Sequence, residues 1–158
     1  MQVEFQGSLQ FEGLAELLEK RGLGEGKQVQ KVIDSECIRY MRDYTPNLNG
    51  VLYGSATLNT VIGEGRIVQK TPYARYHYYG TLMVDPITLK GSFYDPKTGR
   101  HWSRPGVSKI MDPQGRQMNY NTVKAQLAGP HWFERMAKDH KEDIGKAAAN
   151  ECGGTYHK

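Results

Sequence analysis

Cysteine is scarce in this 158-residue chain: Cys37 and Cys152 are the only two. Neither belongs to a C-x-x-C pair, which excludes a zinc knuckle; the two could bridge the ends of two helices, but a reducing cytosol is the expected compartment. They are expected to be a packed thiol and a surface thiol. No apolar run approaches the roughly 18 residues of a membrane span. The opening Met1-Gln2-Val3-Glu4-Phe5 lacks the basic and apolar regions of a secretory signal. The H-E-x-x-H pattern is missing, and Ser55 stands in Gly54-Ser55-Ala56, without the G-x-S-x-G elbow. His131 and Glu134 share a helix face, but no further ligands converge on them by spacing. No histidine neighbours either cysteine, and no carboxylates are spaced as a catalytic pair. No catalytic residue, metal or cofactor is therefore expected.

What is present is mildly basic and soluble in character. Twenty-one Lys and Arg against 17 Asp and Glu give a net charge of +4, with mean hydropathy −0.66. The length fits one domain with a modest core. Residues 3–6 read as a short strand or a disordered start. Ser8 opens a helical pattern through Leu9, Phe11, Leu14, Leu17 and Leu18, which the glycine run from Gly22 to Gly26 ends. That run follows a helix and not a strand, so it does not read as a phosphate loop.

Residues 27–44 carry the clearest helical period: Val29, Val32, Ile33, Cys37, Tyr40, Met41 and Tyr44 form a stripe, with Asp34 among the polar positions. Thr45-Pro46 stops it. The spacing then predicts strands over 51–60, 66–70 and 74–79, joined by Gly63-Glu64-Gly65 and by Pro72, as an antiparallel meander. Within 82–127, Phe93 to Trp102 reads as a hairpin. Pro96 fits the second position of a type I turn, and Gly99 the left-handed position after it. Asp112-Pro113-Gln114-Gly115 is a second turn. Pro130 suits the first position of a last helix over 130–149, whose buried stripe is Phe133, Met136, Ala137, His140, Ile144 and Ala148, with Trp132 at its edge. The expected fold is α+β in a single domain over 1–158. An antiparallel sheet of three to four strands within 51–80 packs against the two longer helices, and a hairpin-bearing loop projects over 82–127.

The densest stretch is Thr71 to Thr81, with five rings (Tyr73, Tyr76, His77, Tyr78, Tyr79) and the cation Arg75. As a strand it places Arg75, His77 and Tyr79 on one face and Ala74, Tyr76 and Tyr78 on the other. Arg, Tyr and Trp dominate interface energetics. Arg75, Tyr76, His77 and Tyr79, with Arg100, Trp102 and Arg104 of the 82–127 region, are the candidate protein-interface residues. The same mixture of cations and rings can contact nucleic acid. A basic nucleic-acid-binding module is the alternative reading.

The order of a long helix, Thr45-Pro46 with Gly50-x-Leu52, Thr71-Pro72-Tyr73-Ala74-Arg75-Tyr76 with Tyr79-Gly80-Thr81, and a last helix opened by Pro130-His131-Trp132-Phe133 resembles the small minor capsid and tail-completion proteins of tailed bacteriophages. In those families a P-Y-A-x-Y…G-T segment follows a P-x-x-x-G-x-L turn, and a W-F or P-F pair opens the last helix. The resemblance covers roughly residues 27–150 and leaves 82–127 unaccounted for. It implies a non-enzymatic virion component, in the host cytoplasm before assembly. At the head–tail neck or in a minor capsid position it would join copies of itself in a ring and touch connector, neck and tail proteins. DNA contact would be non-specific, and no membrane is involved.

Overall fold

The computed structural model describes residues 14–157. The expected strand at 3–6 and the start of the first helix lie outside them. The described chain is α+β, with five helices and two short antiparallel sheets. Helix α1 (Leu14–Lys20) ends where Gly22 takes φ 68°. Helix α2 (Gln28–Tyr44) packs along α5 (Trp132–Glu151), and these two make the body of the fold. Between them Met41, Tyr44, Trp132, Met136 and Ile144 are buried, and Leu52 is added from α3 (Val51–Asn59). Tyr44 closes the far end of the seam: its hydroxyl donates to Asp139 Oδ2 at 2.8 Å, and His140 stacks on Tyr40 at 4.0 Å.

Two side chains sit opposite to expectation. Asp34 is 2% exposed, inside the fold and not on its polar face. Its carboxylate accepts Gln30 Nε2 at 2.8 Å and the backbone N–H groups of Gly63 and Gly65 at 2.7 and 3.2 Å, which satisfies the buried charge. Phe133, expected in the core, lies at the surface, while Trp132 is 2% exposed. The cause is the helix entry. His131, and not Pro130, is the residue that precedes the first turn, and it takes φ 48°, which aims Trp132 inward to donate to Gln69 Oε1 at 2.9 Å.

The meander over 51–80 does not form. Residues 51–59 are helix α3, entered through Gly50 at φ 84° from a turn in which Asn47 Oδ1 accepts the Gly50 N–H at 2.9 Å and Asn49 Oδ1 the Val51 N–H at 3.3 Å. Small Ser55 and Ala56 then let it lie close on the body, with the Ser55 hydroxyl donating to the Leu52 carbonyl at 2.8 Å. Residues 66–70 form no strand and pair with none among the described residues; the Val68 N–H donates to Thr60 Oγ1 at 3.0 Å. Residues 74–79 form helix α4 (Ala74–Tyr79), so the predicted alternation of faces is replaced by a helical one. Gly80 is a left-handed helix cap here and not a strand exit, with φ 69° and Thr81 N–H bonded to the Tyr76 carbonyl at 2.8 Å.

All the named strands lie in the region expected to be a loop. β1 (Met83–Val84) pairs with β4 (Ile110–Met111), and β2 (Phe93–Asp95) pairs with β3 (Arg100–Trp102). The second pair is the predicted hairpin, with Gly99 at φ 66°. The Asp112 turn also forms, closed by Gly115 N–H on the Asp112 carbonyl at 3.0 Å.

Candidate functional site

Helix α4 is the centre of the candidate site. Its inner side is held by Tyr78, whose ring meets Trp132 edge-on at 4.8 Å and whose hydroxyl donates to Glu134. Burial, reinforced by that carboxylate, pushes the Tyr78 phenol well above its ordinary range, so it stays a neutral donor. The main chain joins in: His131 N–H donates to the Tyr78 carbonyl at 2.8 Å. A short helix is thereby fixed to the start of α5.

Two clefts flank α4, and Tyr73 and His77 line both. One, of about 410 Å3, is walled further by Leu48, Leu52 and Tyr120. The other, of about 690 Å3, lies between α4 and the foot of the hairpin, where Tyr76 faces Leu82, Gly91, Ser92 and Lys109. His77 is half-buried between Tyr73 and Tyr120, with edge-on ring contacts at 5.3 and 6.3 Å. Burial lowers its pKa, so the imidazole is neutral at pH 7, and its Nδ1 has no hydrogen-bond partner among the described residues. Among the described residues no three His, Cys, Asp or Glu converge to hold a metal, and no helix is long and apolar enough to cross a membrane. Both cysteines are free, and burial raises the Cys37 pKa, which leaves it a protonated thiol at pH 7.

The candidate residues fall into three groups. Arg75, Tyr76 and Tyr79 are exposed on α4, with His77 partly covered beside them. Arg100 and Trp102 are exposed on β3, with Trp102 stacked on Phe93 at 4.7 Å. Arg104 is occupied within the chain: its guanidinium grips Asp85 through two hydrogen bonds of 2.6 Å. Asp85 also accepts the N–H groups of Ile87 and Thr88 at 2.9 Å, so Arg104 fastens the 85–90 turn.

Known proteins add nothing to this geometry: the chain matches no family model, no curated protein and no solved structure.

The sequence reading passed over two features. Residues 45–63 contain no charged side chain, although 24% of the chain is charged, and that blank run marks the α3 surface. Charge is also divided by region. Residues 66–124 hold ten Lys and Arg against three Asp and Glu, a net +7, while the rest of the chain holds eleven against fourteen, a net −3. Within 66–124, Asp85 and Asp112 are bound by Arg104 and Arg116, and Asp95 is held in its own turn by Lys97 N–H and Thr98.

Proposed function

We propose that this chain is a non-enzymatic structural subunit of a tailed-phage or prophage virion. It acts at the head–tail neck or in a minor capsid position by assembling into a ring with its own copies and neighbouring connector, neck and tail proteins. The observation that carries this reading is the exposed ring and cation surface of α4 and β3, where Arg75 and Arg100 stand beside aromatic side chains. Tyr76, Tyr79 and Trp102 are exposed on it, and such side chains are enriched where proteins meet.

The test is the mass in solution by light scattering across protein concentration, with and without phage neck components. Mass that rises above 17.9 kDa or a complex with the connector supports the reading. A chain that stays monomeric and ignores those partners overturns it.

The +7 region supports a second reading, a basic nucleic-acid-binding module. It requires DNA affinity that falls steeply with salt. The assembly reading requires DNA binding that is weak and indifferent to sequence.

A further inference from the structure

The cleft of about 690 Å3 between α4 and the hairpin foot has two unlike walls. On one side stand the exposed rings of Tyr73 and Tyr76, about one helical turn apart and so on one face. The other side is cationic. Gly91, Ser92 and Lys109 line this cleft and also an adjoining hollow, where Lys90, Phe93 and Arg104 stand. Among the described residues Asp85 is the only carboxylate lining either space, and Arg104 grips it. The Lys109 ammonium donates to the Gly91 carbonyl, which fixes it at the wall without cancelling its charge. Lys90 has no ion-pair partner among the described residues. Past the lysines a ring surface resumes, because Phe93 carries Trp102 stacked on it at 4.7 Å, and Trp102 is 48% exposed.

The order across these two adjoining spaces is rings, cations, ring. It complements a ligand that combines flat apolar faces with regularly spaced negative charge. A single nucleic-acid strand has both, since each unpaired base offers a face to a side-chain ring and each phosphate a charge to a lysine. A duplex keeps its base faces in its own stack and presents phosphate alone. An acidic peptide presents charge without the flat faces. The surrounding segment agrees, with a net charge of +7 over residues 66–124.

We propose that this cleft binds single-stranded nucleic acid, with a base on Tyr73 and Tyr76, flanking phosphates on Lys109 and Lys90, and Trp102 as the next stacking platform. This rests on the nucleic-acid reading of the +7 region and holds whether or not the chain assembles. Stacking is tolerant of sequence, so the site selects strandedness and not base order.

The experiment is fluorescence anisotropy of the full chain with a labelled oligothymidylate of about 12 nucleotides, within the span of single-strand sites. Circular dichroism checks the fold of each variant. The expected result is binding at about 50 mM salt that falls steeply toward about 200 mM. The same strand paired with its complement binds about tenfold more weakly or worse, because its bases no longer reach the rings. Tyr76→Ala weakens the single strand about tenfold, and Tyr76→Phe keeps the affinity, since stacking needs the ring and not the hydroxyl. Lys90→Gln and Lys109→Gln each lower the affinity and reduce the salt slope by about one. Arg66→Gln removes the same charge outside the cleft and changes the affinity by about twofold or less. Equal losses for Arg66→Gln and the lysine variants, Tyr76→Ala that binds like wild type, or a duplex bound as tightly as the strand overturns the cleft and leaves the nucleic-acid reading standing. Polyglutamate that displaces the strand as readily as unlabelled oligothymidylate makes the partner an acidic peptide. Thymidine monophosphate that does so makes the site a pocket for free nucleotide. Either overturns the proposal. No binding of either form of DNA at about 50 mM salt overturns the cleft and the nucleic-acid reading together.

Discussion

Asp34 Oδ2 accepts the backbone N–H of Gly63 at 2.7 Å, across 29 positions of sequence. One buried carboxylate thereby joins α2 to the turn that follows α3. Asp34→Ala leaves the N–H groups of Gly63 and Gly65 unpaired, and should destabilise the fold by about 3 kcal/mol. Chemical denaturation measures this. A loss below about 0.5 kcal/mol is the size expected of an ordinary surface position and would count against the clamp.

Trp132 and Phe133 are neighbours with opposite environments. Trp132 fills the seam between α2 and α5 and donates to Gln69. Trp132→Ala should cost about 3–5 kcal/mol. Phe133 is 36% exposed, so Phe133→Ala should cost about 1 kcal/mol or less. Equal costs would place the two rings in one environment and reverse the helix entry described above.

The two long helices were legible because their apolar residues recur at the helical period over many turns. The hairpin was legible because Pro96 and Gly99 fit one turn type. Residues 74–79 were not: alternating rings and cations fit a strand, and the short run decides nothing by itself. Packing decides it, through Tyr78 on Trp132 and the main-chain bond from His131. Residues 51–59 were misread because valine, leucine and small residues suit either element, and the Asn47–Gly50 turn before them can lead into a strand or a helix. At the site, Arg75, Tyr76, Tyr79, Arg100 and Trp102 are exposed as an interface requires. Arg104 is not free to join them because its partner, Asp85, lies 19 positions upstream, beyond the reach of local pattern.

Gly80 caps α4 at φ 69°, and a Cβ there would lie 3.1 Å from Gln117 Oε1 and 3.4 Å from the Tyr120 hydroxyl. The left-handed conformation alone costs an L-residue about 1–2 kcal/mol. Gly80→Ala should lower the melting temperature accordingly and loosen the Tyr120 hydroxyl, which donates to the His77 carbonyl. Gly115→Ala, also at positive φ but with open space around it, should show the conformational part without the crowding.

Acid should dissolve the ties of the 82–127 region. The Arg116 guanidinium holds the Asp112 carboxyl down to about 2, and Arg104 with the Thr88 N–H holds Asp85 lower still. The unfolded chain returns both to about 4. Each pair therefore stabilises the folded state fully above about pH 4, and its contribution disappears as pH falls through the folded values. Thermal melts of wild type and Arg116→Ala should differ at pH 6 and converge toward pH 2. A gap that stays constant over that range would show that Arg116 acts by packing and not by its charge.

Arg75, Tyr76 and Tyr79 make the sharpest separation between stability and assembly. All three are exposed on α4, and Arg75 has no ion-pair partner among the described residues. Replacing any one with alanine should change folding stability by no more than about 0.5 kcal/mol, as for other surface positions. If α4 is an interface, Tyr76→Ala or Arg75→Ala should weaken association by 1 kcal/mol or more, about fivefold or greater in dissociation constant, because tyrosine and arginine anchor such contacts. Paired denaturation and light-scattering measurements decide it. A variant that is stable and also assembles like wild type would move the interface off α4.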